Sequence, residues 1–139
     1  MLVCDTSGLV AYFDASDVHN AQVSRIIEAD PGPFVASPYV VAELDYLLAT
    51  RRGVAAELTV LGELTGGAWE LPCIASGELN DAAAVIDKYR DQKISVADAS
   101  LVVLARRYRA DPILTLDHRH CRVIRTAAGG PFTVLPEVA

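Results

Sequence analysis

The sequence predicts an α/β fold, a three-layer α/β/α sandwich around a mainly parallel central sheet. Three observations predict it. Short β-like runs alternate with longer helical patterns along the chain, and strands separated by helices need crossover connections, which imply parallel pairing with both sheet faces covered. The length of 139 residues suits one domain with one core, spanning 1–139. Apolar residues make up 52% of the chain, at the upper end for a soluble domain. That is enough to build such a core and leave an apolar patch for a partner.

The elements follow in order. Met1 to Cys4 is an apolar run and reads as a buried strand. Ser7 to Phe13 and His19 to Ala29 carry helical patterns. Phe34 to Ala36 is a short strand, and Ser37-Pro38 starts a helix, with serine at the cap and proline at the first helical position. Tyr39 to Thr50 is helical, and Ala55 to Leu64 continues so after Gly53. Trp69 to Pro72 reads as a strand, and Leu79 to Tyr89 and Val96 to Tyr108 as helices. Ile113 to Leu116 and Phe132 to Leu135 complete the strands. In sheets of this kind ligands bind beyond the carboxyl ends of the strands, which tells where to look for a site.

Composition narrows the function. Unbroken apolar runs reach only five residues, as in Leu101 to Ala105, whereas a membrane span needs about twenty. Asp5 interrupts the N-terminus early and no basic segment precedes it, so neither a secretory signal nor a membrane protein is expected. Cys4, Cys73 and Cys121 are scattered, form no Cys-x-x-Cys pair, and suit a reducing, cytoplasmic compartment. The net charge of −6 argues against a broad basic nucleic-acid surface. It is compatible with an acidic pocket whose charge a metal ion offsets. Ten arginines against two lysines, in clusters, leave room for local basic patches.

Four acids stand out. Asp5 closes Leu2-Val3-Cys4, and Asp117 closes Ile113-Leu114-Thr115-Leu116. Two parallel strands would aim both carboxylates into one crevice, although either acid could equally cap a helix or turn the chain. Glu43 has Tyr39, Val40, Tyr46 and Leu47 as helical neighbours, and Asp98 has Ile94, Ser95, Leu101 and Val102. A carboxylate on an apolar stripe has to be paired, protonated or metal-bound. Arg51 or Arg52 could pair with Glu43, and Ser95-x-x-Asp98 fits a capping box. Asp45 also has apolar neighbours, so this criterion alone does not single out Glu43. Four carboxylates brought together would repel one another and raise their pKa values. Mg²⁺, or Mn²⁺ in its place, would stabilise the cluster, because such hard cations take carboxylate oxygens and keep several waters. A site of this composition is suited to phosphodiester hydrolysis. Thr6, Ser7 and Thr115 lie beside the acids and could donate hydrogen bonds to them.

Val3-Cys4-Asp5-Thr6-Ser7-Gly8-Leu9-Val10-Ala11 resembles the first motif of PIN domains. Ser37-Pro38-Tyr39-Val40-Val41-Ala42-Glu43-Leu44 is similar to the segment that carries their second acid. Ile94-Ser95-Val96-Ala97-Asp98-Ala99-Ser100-Leu101 is similar to the third motif, and Ile113 to Cys121 to the fourth. Any one motif is weak, but all four occur in order across nearly the whole chain. The resemblance implies an α/β/α sandwich, a divalent metal held by Asp5, Glu43, Asp98 and Asp117, and endoribonuclease activity. The compact length further resembles VapC-type toxins, which implies an RNA substrate, a small cognate antitoxin and a homodimer. The family often carries another acid shortly after the third; here Ser100 and Leu101 follow Asp98.

Arg119, Arg122 and Arg125 follow the fourth acid, and Arg119 and Arg122 are the candidates for reaching RNA. Arg106, Arg107 and Arg109 end a helix, where their charge complements the macrodipole. His118, His120 and Cys121 match no standard zinc spacing. A phosphoacceptor receiver domain would need a lysine after a late strand, and Lys88 and Lys93 both precede the helix of Asp98. A haloacid-dehalogenase-type phosphatase would need an acid at position 7, which is serine. A non-catalytic binding module with the same fold is the remaining alternative.

Overall fold

The computed structural model describes residues 1–110, 112–121, 124–126, 129–130 and 132–136. Five short strands form one sheet in the order β3-β2-β1-β4-β5. They are β1 (Leu2–Cys4), β2 (Phe34–Val35), β3 (Trp69–Glu70), β4 (Pro112–Leu114) and β5 (Thr133–Leu135), and every adjacent pair is parallel. The helices are α1 (Thr6–Phe13), α2 (Asn20–Ala29), α3 (Pro38–Arg52), α4 (Val54–Leu64), α5 (Ser76–Lys88), α6 (Val96–Tyr108) and the short α7 (His118–Cys121). Among the described residues no helix is long and apolar enough to cross a membrane.

Strand order dictates where the helices go. The chain runs outward from β1 through β2 to β3, then returns across β1 to β4 and β5. With right-handed crossovers, α1 to α4 cover one face and α5 and α6 the other. This is the expected α/β/α sandwich. The direction of winding reverses between β1 and β4, and that switch point opens a crevice at the carboxyl edge of the sheet.

The core explains the strand composition. Leu2, Val3, Cys4, Val35, Ile113 and Leu114 are all essentially inaccessible, as befits strands covered on both faces. α6 is buried along most of its length, from Ala97 through Ala105 apart from Asp98. Burial pushes the Cys4 thiol far above its ordinary range, so it packs as a small apolar group and stays protonated. Gly53, at φ 86°, provides the left-handed turn that separates α3 from α4.

Several boundaries differ from expectation. β4 stops at Leu114, so Thr115, Leu116 and Asp117 form an irregular segment beyond the strand rather than its end. β3 spans only Trp69–Glu70. α5 begins at Ser76, three residues before the apolar periodicity starts, because its first turn is polar. α7 has no counterpart in the sequence reading. Arg107, expected to serve the macrodipole, forms a two-pronged pair with Glu78 and donates to Cys73 O, tying α6 to the start of α5.

Candidate active site

The carboxyl ends of β1, β2 and β4 each run into a segment that carries a predicted site residue. Asp5 follows β1 directly, and its main-chain NH donates to Leu114 O at 2.8 Å. Asp5 is also the N-cap of α1, its Oδ1 accepting from Thr6 N at 2.7 Å. Its Oδ2 accepts from Thr115 Oγ1 at 2.8 Å and Ser7 Oγ at 3.3 Å. The capping role weighed from sequence is therefore real, and the carboxylate nevertheless faces the crevice.

Thr115 and Ser7 hold that arrangement together. Their hydroxyls lie 3.2 Å apart, Ser7 Oγ accepts from Leu116 N at 2.9 Å, and Thr115 Oγ1 accepts from Asp117 N at 3.0 Å. The irregular turn after β4 is thus fastened to the first turn of α1, and it sets Asp117 beside Asp5. Thr6 reaches the other way, donating through Oγ1 to Glu43 Oε1 at 3.4 Å.

Glu43 and Asp98 arrive from helices. α3 starts where β2 ends, with Ser37 Oγ accepting from Val40 N at 3.1 Å and Pro38 in the first turn. Glu43 stands on the exposed side of α3. This corrects the expectation of a charge buried on an apolar stripe: Glu43 reaches the crevice from its open side. Neither Arg51 nor Arg52 pairs with it. Arg52 instead binds Asp14 and Ser16. Asp98 lies in the first turn of α6 and forms the complete capping box, with Ser95 N donating to Asp98 Oδ2 at 2.9 Å and Asp98 N donating to Ser95 Oγ at 3.1 Å. A buried hydrogen bond of 2.8 Å joins Ser100 Oγ to Ser37 Oγ, and Ser100 Oγ also lies 2.6 Å from Ala97 O, to which it donates.

All four acids line one open cavity of about 420 Å³, together with Thr6, Ser7 and Ser95. Asp17 and Arg51 also line it, and the sequence reading offers neither as a site residue. Arg51 could have been found: it follows Glu43 by two helical turns and shares its face. Asp17 lies between α1 and α2, where no periodicity gives a signal. Val10, Leu47 and Leu116 supply apolar wall.

The electrostatics match a site short of positive charge. Burial raises the Asp5 pKa, the neighbouring charge of Asp98 adds to that, and the hydrogen bonds from Thr115, Thr6 and Ser7 offset only part. Glu43 is raised by burial and then by the charges of Asp5 and Asp98. Among the described residues no three His, Cys, Asp or Glu side chains stand close enough to hold one ion together. A hard cation in this cavity would take one or two carboxylates directly and reach the others through its waters. Arg119 donates from N, Nε and Nη2 to Asp117 at 3.3–3.4 Å, so it is engaged with the site. Arg122 and the side chains of His120 and Cys121 lie outside the described residues.

A pH prediction follows. For a carboxyl whose folded pKa is raised, the stabilising form is the protonated one, so its contribution is complete below the ordinary carboxylate range and is lost as pH rises through the raised value. Asp5 and Glu43 should therefore make the metal-free chain less stable at neutral pH than just above the ordinary carboxylate range. Asp14, held down at about 2 by the Ser16 hydroxyl and Arg52, is charged throughout that window and adds nothing to the trend. A divalent cation such as Mg²⁺ would bind the charged form, so any stabilisation by it should grow with pH. Melting temperatures in chelator and in excess Mg²⁺ at both pH values check this, and an equal Mg²⁺ effect at both counts against it.

Known proteins resemble the chain over nearly its whole length. A family model described as the PIN domain matches residues 2–125. The chain is 56% identical over 135 residues, covering 97% of this chain and all of the relative, to Ribonuclease VapC26 of Mycobacterium tuberculosis. Among solved structures, the Sarcin-Ricin loop cleaving toxin VapC20 of Mycobacterium tuberculosis superposes with a TM-score of 0.80 at 18% identity, over 86% of this chain and 92% of that one. A toxin–antitoxin complex from Klebsiella pneumoniae gives 0.70 at 17% identity, over 89% and 92%. At these identities the two structures speak for the fold alone.

Proposed function

Because the chain belongs to the PIN-domain family, we propose that it is a magnesium-dependent endoribonuclease that hydrolyses RNA phosphodiester bonds, and that it acts as the toxin of a toxin–antitoxin pair. The observation that carries this reading is the gathering of Asp5, Glu43, Asp98 and Asp117 around one cavity at the switch point of a parallel sheet. The ribonuclease named among its relatives, identical at 56% of positions, supports it.

Asp5 and Asp98 are the direct metal ligands in this reading, and Glu43 and Asp117 act through bound water. Mg²⁺ or Mn²⁺ held there would polarise the phosphate and favour attack by water. The protein's share is positioning. Thr115 and Ser7 fix both the Asp5 carboxylate and the turn that presents Asp117, while Ser95 fixes Asp98. In this reading Glu43, at the open side with Thr6 on its Oε1, would accept a proton from the attacking water.

The antitoxin follows from the same family likeness. Tyr46, Val54 and Leu58 leave apolar surface exposed on α3 and α4, which a protein partner or a second copy in a homodimer would cover. A basic side chain of the antitoxin, arginine above all, would neutralise the acids bidentately.

Labelled RNA incubated with the purified chain should be cut in Mg²⁺ or Mn²⁺ and remain intact in chelator. Intact RNA in excess Mg²⁺ with a folded protein would overturn the enzymatic reading in favour of a binding module. Expression of the chain alone should arrest growth of its host; harmless expression would sink the toxin role and leave the nuclease reading standing.

A further inference from the structure

We propose that Arg51 is a phosphate-binding residue of this site, gripping the RNA backbone next to the phosphate that is cleaved. The inference rests on the ribonuclease reading above and adds to it a residue that aligns the substrate.

Arg51 lines the acidic cavity, yet among the described residues it makes no ion pair or hydrogen bond. The contrast with its neighbours is specific. Arg52 is spent on Asp14 and Ser16, Arg107 on Glu78, and Arg119 on Asp117. A guanidinium that faces a cavity with five carboxylates on its walls and pairs with none stands at the rim, beyond ion-pair distance from each. What it would bind is therefore not the group held at Asp5 but one further along the same ligand.

Helix geometry says which way. Glu43, Leu47 and Arg51 follow one another at intervals of four along α3, so they form a single stripe facing the cavity. At 1.5 Å per residue, Arg51 lies roughly 12 Å along the axis from Glu43. A polyanion whose reacting phosphate sits at Asp5 and Asp98 would run along this stripe, past the apolar Leu47, and bring a neighbouring phosphate to Arg51. The guanidinium fork suits phosphate oxygens, and its charge offsets the repulsion an RNA strand meets at an acidic mouth. Because Arg51 is exposed and bonded to nothing described, replacing it leaves the fold intact.

The test uses RNA binding in the Asp5→Asn background, where cleavage is suppressed, with a short single-stranded RNA titrated over a range of salt concentrations. Arg51→Gln should weaken binding roughly tenfold at low salt and flatten the slope of log affinity against log salt by about 0.7, the value of one phosphate contact on a single strand. Arg51→Lys should keep the slope while recovering only part of the affinity, since it restores the charge without the fork. With Asp5 intact and Mg²⁺ present, Arg51→Gln should raise KM more than it lowers kcat. An unchanged salt slope and KM in Arg51→Gln would overturn the assignment while leaving the ribonuclease reading untouched. Failure of the unsubstituted chain, folded and in Mg²⁺, to bind or cut any RNA would overturn both.

Discussion

Asp98→Asn is expected to lower RNA cleavage at least about 10²-fold in excess Mg²⁺, the order of loss when one major electrostatic element of a site is removed. The structure gives Asp98 two jobs: it completes the capping box of α6 and it lines the cavity. Asparagine separates them. Its amide oxygen can accept from Ser95 N as the carboxylate does, and its main-chain NH still donates to Ser95 Oγ. What it loses is one negative charge and one good metal ligand. In chelator the melting temperature should hold or rise, because the repulsion that Asp98 exerts on Asp5 and Glu43 is relieved. Asp98→Ala loses the cap as well and should cost about 1 kcal/mol more in stability. Cleavage and melting measured on the same samples distinguish the jobs. Near-native cleavage by Asp98→Asn would remove Asp98 from the metal site.

Gly8→Ala is expected to damage both stability and cleavage, although alanine is the better helix former by about 1 kcal/mol. A Cβ on Gly8 would stand 2.7 Å from Leu114 Cγ and 3.0 Å from Leu114 O. Leu114 is fully buried, and its carbonyl accepts from Asp5 N, so neither atom has room to yield. Overpacking of this kind costs about 1–3 kcal/mol, which outweighs the propensity gain. Any relief comes from pushing β4 away from α1, and that carries Thr115 off Asp5 and Asp117 out of register. A misplacement of about 1 Å in such a constellation costs on the order of 10²-fold in rate. A Gly8→Ala variant that melts at or above the parent temperature with full activity would refute this account of the close approach.

The alternation of strands and helices, and the acids at or near strand ends, are legible in the sequence because they follow from burial and from the geometry of parallel sheets. The β-like character of Ile113-Leu114-Thr115-Leu116 conceals a different arrangement: the strand ends at Leu114, Thr115 N still donates to Leu135 O, and the Thr115 hydroxyl serves Asp5 and Asp117 N. The bond to Asp5 is long-range and invisible to local pattern. Glu43 lines the cavity, but the reason for which the sequence singles it out fails, since the apolar neighbours i±3 and i±4 lie to either side of a residue that is itself exposed. Arg119 reads from sequence as free to meet RNA and is tied to Asp117 two residues earlier. Asp17 belongs to no periodic element, and its place in the cavity arises only when the chain turns back after α1.

The Ser37–Ser100 hydrogen bond joins the cap of the helix that bears Glu43 to the helix that bears Asp98, and both hydroxyls are sealed from solvent. Each hydroxyl keeps a second bond, Ser37 Oγ to Val40 N and Ser100 Oγ to Ala97 O, so the bond between them is a direct tie from one helix start to the other rather than the last partner of either group. In amide hydrogen exchange, the first turns of α3 and α6 should then share one protection level and one opening free energy. The carboxylates on either side of the crevice are thus tied to each other through a bond that neither of them makes.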